Sequence, residues 1–353
     1  MNIFWFRRDL RLIDNAGLYH ALSAGNVLPI FIFDTNILSE LPRDDARVAF
    51  IHLQLSGIND RLKSIDRSVA TFYGDPEKVF AELLASHQIE NVYTNEDYEP
   101  YAIARDNKIR EILKSKNVGF QLFKDHVIFA KDEIVKSDGT PYVVFTPFSR
   151  RWKEKLVEHK SASFPSEALI GNIYSHNFSF PTLAQLQFNQ PNLQVDQYNL
   201  SHNLILTYEK TRNFPALAET SGLSPHLRLG TISIRKVLQM AVTNETFLNE
   251  LIWREFFIQI LWHFPFTVNK SFRPKYDNIK WRNNEDEFLK WCNGQTGYPI
   301  VDAGMRQLNA TGLMHNRVRM ITASFLCKHL LIDWHWGEAY FAMKLLDYEQ
   351  ASN

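Results

Sequence analysis

The chain is predicted to fold as two domains of different kind, a doubly wound α/β parallel sheet followed by an all-α domain. Over the first 125 residues, short β-rich runs alternate with helix-like segments. After residue 200 the β pattern vanishes and apolar residues recur at helical spacing. Tryptophan is unevenly divided, with Trp5 alone before residue 150 and seven after it, so the two parts differ in their work as well as their folds.

The β-rich runs are 3–6, 27–33, 69–73, 91–94 and 119–123. Between them, 43–63, 76–87 and 101–116 carry helical patterns. Strands alternating with helices imply a parallel sheet covered on both faces. No GxGxxG follows the first strand, so the usual dinucleotide fingerprint is missing. Residues 126–200 are less regular, with Ser-, Pro-, Asn- and Gln-rich stretches at 161–166 and 178–195, and read as a connection running over the surface. Beyond it, 202–218, 233–242, 245–263, 299–311 and 315–331 read as helices. The expected organisation is an α/β domain at 1–125, a connection at 126–200 and a helical domain at 201–353.

Of the 353 residues, 45% are hydrophobic and 22% charged, which excludes a chain disordered over most of its length. Two cysteines, Cys292 and Cys327, exclude a disulfide framework and read as reduced thiols of an intracellular protein. No apolar run is long enough to cross a membrane. The apolar start at residues 1–6 stops at Arg7, too soon for a secretory signal, so a cytoplasmic protein is expected. The net charge is zero, yet residues 1–150 hold 18 Lys/Arg against 21 Asp/Glu, and residues 208–330 hold 16 against 10. A basic second domain suits a polyanion, although on charge alone a solvated surface is the favoured reading.

Four segments carry chemistry-bearing residues. Arg7, Arg8 and Arg11 follow the first strand, where α/β sheets collect ligands and domain contacts, and suit an anion or acids of the other domain. Tyr208 precedes Thr220-Ser221-Gly222-Leu223-Ser224-Pro225, in which Ser224 followed by proline has the form of a helix N-cap. Hydroxyls and free N–H groups there suit a phosphate, although an ordinary cap is the commoner reading. Glu250, Trp253 and Arg254 stand at i, i+3 and i+4 on one helical face, which suits a planar heterocycle or a plain packed Trp. Asn316 and Met320 share a face flanked by Arg317 and Arg319, where Asn suits a base edge and Met a ring. His315 has no Cys, Asp or Glu at ligand spacing, so no metal is expected.

Residues 298–307 with 314–326 resemble the cryptochrome/photolyase family, and 4–12, 220–225 and 250–256 fit it in the same order. The resemblance runs from residue 1 to residue 353. It implies an N-terminal antenna domain and a helical domain binding folded FAD. Tyr208, Thr220, Ser221, Leu223 and Ser224 match the phosphate and ribityl contacts. Arg319 matches an arginine paired with an aspartate, here Asp347, beside the isoalloxazine; Asn353 matches the asparagine at flavin N5, and Glu349 is counted with the cofactor contacts. Glu250, Trp253, Asn316 and Met320 match contacts to a flipped pyrimidine dimer, with Arg254, Arg317 and Lys270 as phosphate contacts. Trp281 and Trp334 match two of three tryptophans that photoreduce the flavin.

Within the family, Glu250, Trp253, Asn316 and Met320 together resemble the class I cyclobutane pyrimidine dimer (deoxyribodipyrimidine) photolyases. The implied function is light-driven DNA repair, in which reduced FAD passes an electron to a dimer flipped out of damaged DNA. The alternative is a cryptochrome-type blue-light receptor, and a flavin-free binding module is a third reading. A monomer is expected. The chain ends at Asn353, earlier than family members do, and is read as truncated at its C-terminus. The antenna is left open between methenyltetrahydrofolate, a deazaflavin, a flavin and no second chromophore, because Tyr101-Ala102 stands where a folate-type site has Asn-Glu.

Overall fold

In the computed structural model, which describes residues 1–158 and 162–352, the first strand runs through the middle of the sheet. β1 (Asn2–Phe6) pairs in parallel with β2 (Val27–Asp34) and β4 (Asn91–Asn95). β3 (Ala70–Gly74) lies outside β2, and β5 (Gly119–Phe123) outside β4, giving the order β3-β2-β1-β4-β5. Helices α1 (Ala16–Ser23), α2 (Thr35–Leu38), α3 (Ala46–Lys63), α4 (Pro76–Ser86) and α5 (Pro100–Lys114) connect the strands.

Every residue of β1 and β2 is buried, as a strand covered on both faces requires. Alternate side chains go to opposite cores. Phe4 and Phe6 pack with Leu18, Phe31, Phe33 and Leu55 on one face, while Ile3 and Trp5 pack with Ile30, Phe80 and Ile109 on the other. Side-chain caps fix several helix starts: Asn15 accepts from the Leu18 N–H, and Asp75 caps α4 with Pro76 in its first turn.

The remaining helices are α6 (Phe145–Glu158), α7 (His202–Thr211), α8 (Leu223–Arg228), α9 (Ile234–Ala241), α10 (Glu245–His263), α11 (Glu285–Cys292), α12 (Pro299–Thr311), α13 (Asn316–Lys328) and α14 (Trp334–Lys344). They form two apolar cores. One gathers α6, α7, α9 and α10 around Phe148, Trp152, Val237, Ile252 and Phe256. The other gathers α11 to α14 around Trp291, Met305, Val318, Phe325 and Phe341. Gly304 lets α12 and α13 approach, since a Cβ there would lie 2.4 Å from a Val318 methyl.

Residues 126–200 are not a surface connection throughout. Ile128, Phe129, Ile134, Phe148 and Trp152 are buried in the core of the helical part, and Leu186 and Phe188 in that of the sheet. The stretch looks irregular because its apolar residues serve two different cores. The helix expected at 202–218 stops at Thr211, ahead of Pro215. Ser224 is not an N-cap: α8 begins at Leu223, preceded by Gly222 in the left-handed conformation at φ 62°.

The two parts are joined by buried ion pairs at the turn after β1. Arg7 stays within the α/β part, where its Nη1 donates to both oxygens of Asp106 at 2.5 and 2.7 Å. Arg8 and Arg11 face the helical part. Arg11 Nη2 donates to Asp125 at 2.6 Å, and Arg235 of α9 donates to the other Asp125 oxygen at 2.8 Å. Arg11 Nη1 also donates to the Gly230 carbonyl at 2.9 Å. Gly230 has to be glycine here, because a Cβ would fall 2.1 Å from the Arg8 carbonyl oxygen at a φ of 62°.

Candidate functional site

Helix α10 starts at the Asn244 cap and turns two different faces to the two sides of the site. Arg254 and Glu255 point inward. Glu255, 1% exposed, accepts from the backbone N–H groups of Ile128 and Phe129 and, at 2.6 Å, from Trp152 Nε1. Arg254 donates to the His126 carbonyl at 2.7 Å and to Glu349 at 3.2 Å. It is therefore a partly buried structural arginine with its guanidinium engaged, not the DNA-phosphate contact expected of it. Glu349 is likewise taken: Arg8 Nη2 donates to it at 2.5 Å. Burial raises the Glu349 carboxyl, but Arg254, Arg8 and Arg228 outweigh it and bring it down to about 2. It ties the C-terminal segment to both parts, and its oxygens already have protein partners.

Glu250 and Trp253 take the other face. Glu250 ion-pairs with Arg212, at the end of α7, and not with Arg254 one turn along. Its carboxyl is raised by burial, against the pull of Arg212 and Arg317. Tyr208, one turn before Arg212, is pushed up to about 12 by burial and by Glu250. The Arg212 guanidinium lies 5.5 Å from the Tyr208 ring. Arg317, in the first turn of α13, reaches Asn213 at 2.9 Å and lies 3.9 Å from the Met320 sulfur. Tyr208, Glu250 and Arg317, far apart in sequence, thus converge around Arg212, and Met320 follows Arg317 by one turn. His315 caps α13 by accepting from the Arg317 N–H at 3.2 Å, a structural role. Asn316 and Met320 are exposed on that helix. Trp253 stacks on Phe145 with ring centroids 3.5 Å apart and planes 4° from parallel, leaving the indole 36% exposed.

Arg319 Nη2 donates to both carboxylate oxygens of Asp347 at 3.1 Å. Its Nε is buried with no hydrogen-bond partner among the described residues, as is Oδ1 of Asn249, next to Glu250. The side chains of Thr220, Ser221 and Ser224 make no hydrogen bond to other described residues. The unpartnered polar atoms of Arg319 and Asn249, with these hydroxyls, fit a large ligand with phosphates and a polar heteroaromatic ring. The residues present therefore fit FAD. Leu223 is buried at the start of α8, where it offers backbone rather than side chain. Asn353 lies outside the described residues.

Trp281 and Trp334 sit on two segments tied by hydrogen bonds, one of them between backbone groups. The Arg282 N–H donates to the Leu331 carbonyl at 2.8 Å, and the Asp333 N–H to Asn283 Oδ1 at 2.8 Å. Trp334 stacks on His335 at 3.7 Å. The segment 95–101, which leads into the Tyr101-Ala102 pair of the antenna question, is largely taken up by structure. Asn95 donates to Asp9 at 2.5 Å and to Asn15 at 2.8 Å, and Asp97 and Glu99 pair with Arg8 at 3.1 Å. Tyr101 donates to Asp34 at 2.5 Å, and Ala102 is buried.

Sequence reasoning missed Arg212 and Phe145. Arg212 stands four residues after Tyr208, a spacing that places it on the same helical face. No sequence signal links Phe145 to Trp253. Among the described residues, no group of three or more His, Cys, Asp or Glu could hold a metal ion, and no helix is long and apolar enough to cross a membrane.

Comparison with known proteins gives a consistent picture. Residues 2–166 match the family described as DNA photolyase, and residues 247–353 match the FAD binding domain of DNA photolyase. The deoxyribodipyrimidine photo-lyase of Synechococcus sp. is 35% identical over 99% of this chain and 79% of its own length. That of Halobacterium salinarum is 33% identical over 100% of this chain and 80% of its own. Among solved structures, the archaeal photolyase from Sulfolobus tokodaii with two FAD molecules superposes with a TM-score of 0.81 at 34% identity, covering 100% of this chain and 81% of that one. The Synechocystis sp. cryptochrome superposes at 0.85 with 25% identity, covering 100% and 80%.

Proposed function

This chain belongs to the photolyase/cryptochrome family, and from that premise we propose that it is a light-driven DNA-repair lyase that splits cyclobutane pyrimidine dimers. The observation that carries the reading is the convergence of Glu250, Tyr208 and Arg317 around Arg212, with Trp253, Asn316 and Met320 exposed. This set of side chains also favours the class I repair type over a blue-light receptor.

FAD, when bound and reduced, supplies the electron that light drives to the dimer. We assign Thr220, Ser221 and Ser224, with the backbone at Leu223, to its phosphates and ribityl chain. Tyr208 joins these phosphate and ribityl contacts, and the Arg319–Asp347 pair would hold the ring. Trp281 and Trp334 are the proposed route for electrons from the surface.

A dimer within duplex DNA reaches such a site only by leaving the stack, which is cheapest at a damaged, poorly stacked step. Asn316 then fixes its edge and Trp253 offers an apolar wall. Glu250, whose carboxyl burial raises against the pull of Arg212 and Arg317, is the group proposed to hydrogen-bond the dimer where negative charge develops. Arg317 contacts phosphate, which positions the protein without reading sequence, and Lys270 is a further candidate. Damaged DNA is the partner, and a monomer suffices. A second chromophore is proposed in the α/β part. Buried Ala102 replaces the folate-type glutamate and favours a flavin or deazaflavin.

The test is repair of a thymine-dimer oligonucleotide by FAD-loaded protein. Dimer lost in blue light and retained in darkness supports the reading. Flavin that photoreduces with no loss of dimer turns it toward a receptor.

Glu250→Ala should lower the yield of splitting per absorbed photon severalfold, in samples matched for flavin. Its ion pair with Arg212 is partly exposed and worth about 1 kcal/mol at most, so the fold should persist. Glu250→Gln, which keeps a donor, should recover most of the yield. An unchanged yield in the alanine variant removes Glu250 from the catalytic set.

A further inference from the structure

We infer that a cleft between the starts of β2 and β3 and the end of α4 is a binding site for a small organic ammonium ion. The strands are parallel, and the turn after β1 meets the helical part, so the cleft lies at the opposite end of the sheet from that join. It measures about 300 Å³, at the small end of the range of about 300–1,000 Å³ for ligand pockets. Its lining includes the buried Leu28, Ala70 and Leu83 and the part-buried rings of Phe72 and Phe178. Phe178 belongs to a strap, residues 174–181, that passes the sheet at β3. Phe178 packs on the core beneath α4, and Phe180 on the core of the other face. The Phe178 N–H donates to Ser68 Oγ at 2.7 Å, and that hydroxyl donates to the His176 carbonyl at 2.8 Å. His52 Nε2 lies 2.7 Å from the Pro181 carbonyl oxygen. Held at these points, the strap keeps its wall of the cleft in place before any ligand arrives.

Charge complementarity identifies the occupant. Glu82, Ser86 and His87, at the end of α4, line the cleft, and no lysine or arginine does. The last carbonyls of a helix have no intrahelical donor and form the negative end of its dipole. The Glu82 carboxylate makes no hydrogen bond or ion pair with other described residues. The Ser86 hydroxyl donates to the Glu82 carbonyl at 2.8 Å, and its oxygen lies 2.8 Å from His87 Nδ1. With its hydrogen used in this way, Ser86 accepts from Nδ1–H, which leaves Nε2 of a neutral His87 as a lone pair. A carboxylate, an imidazole lone pair and helix carbonyls call for a ligand that donates and carries positive charge. The faces of Phe72 and Phe178 attract a cation and cover an apolar body. The site uses none of the residues assigned to FAD or DNA.

The experiment titrates FAD-loaded protein in the dark, by ligand-observed NMR, with phenethylammonium and two probes of similar shape, neutral phenethyl alcohol and anionic phenylacetate. The ammonium ion should bind with a Kd on the order of 1 mM, as a ligand of its size allows. The alcohol should bind about tenfold more weakly, and phenylacetate more weakly still. Glu82→Gln should raise the Kd of the ammonium ion about fivefold, the scale of an exposed charge pair. Ser179→Trp, at an exposed lining position, should close the mouth and raise it about tenfold or more. Thermal unfolding checks that both variants fold as the parent does. Equal affinity for the three probes overturns the proposal. So does an ammonium Kd that neither substitution moves, because the ion then binds elsewhere, and so does a parent that binds none of the probes. Both variants should repair a thymine-dimer oligonucleotide as the parent does, and a loss of repair in Glu82→Gln would overturn the separation of this cleft from the candidate site.

Discussion

Glu255→Ala should destabilise the folded protein by about 3–6 kcal/mol, a large share of the stability of an ordinary domain. Its carboxyl serves three buried donors, the N–H groups of Ile128 and Phe129 and the indole N–H of Trp152. Removing it strands all three, at about 1–3 kcal/mol for each unsatisfied group, partly relieved by relaxation. Urea denaturation measures the loss, and a cost below about 1 kcal/mol would contradict the assignment. Glu255→Gln keeps one acceptor oxygen and should fall between the alanine variant and the parent.

The same residue gives a pH dependence with a definite sign. Burial pushes the Glu255 carboxyl up to about 7, against its three donors and Arg254, whereas the unfolded chain titrates near 4.5. The folded state therefore holds the proton more tightly. The stability this confers is complete below pH 4.5 and disappears as pH rises through about 7. The difference between parent and Glu255→Gln should shrink by about 3 kcal/mol across that window. A difference that stays flat, or grows with pH, would show that the carboxylate is ionised throughout.

The second large effect is expected at Asp125, which is buried and accepts from Arg11, Arg235 and the Ala16 N–H. Alanine there leaves two arginines facing each other at the join between the parts. Breaking a buried pair in this way costs about 3–5 kcal/mol. Asp14 still accepts from Arg235, which keeps the loss from being larger. Burial raises the Asp125 carboxyl, but Arg11 and Arg235 outweigh it, so the net shift is downward. Its contribution is therefore present at neutral pH and is lost only as acid titrates it below 3.8. Because Asp125 links β1's turn to α9, Asp125→Ala should unfold in two steps by urea, the helical part separating first. A single cooperative transition at the parent midpoint would refute this.

Local pattern was enough for the sheet and for the best-formed helices. The run at 119–123 is β5, the periodicity at 245–263 is α10, and the segment 299–311 is α12. Each carries its own signal, such as the Asn244 cap or the proline opening α12. The order of the site motifs along the chain was equally legible, because it needs only residue types at fixed spacing. Helices α6, α11 and α14 were not read. The first serves a core made by residues a hundred positions away, the second is eight residues long, and the third is aromatic on most sides.

Spacing placed Glu250, Trp253 and Arg254 on one side of a helix, and it could go no further. Which way each side chain turns depends on what packs there. Arg254 turns inward because Glu349 and the His126 carbonyl wait for it, 95 and 128 residues away. Glu250 turns outward to Arg212. The arginines after β1 were open to an anion or to acids of the other domain, and Asp125 and Glu349 decided the matter. The sequence by itself determined the elements and the inventory of reactive groups, because backbone propensity and periodicity act over a few residues. Only the tertiary structure decided which of those groups are consumed in buried pairs and which remain free for a ligand, because a charge taken out of water must find its partner wherever the fold brings one.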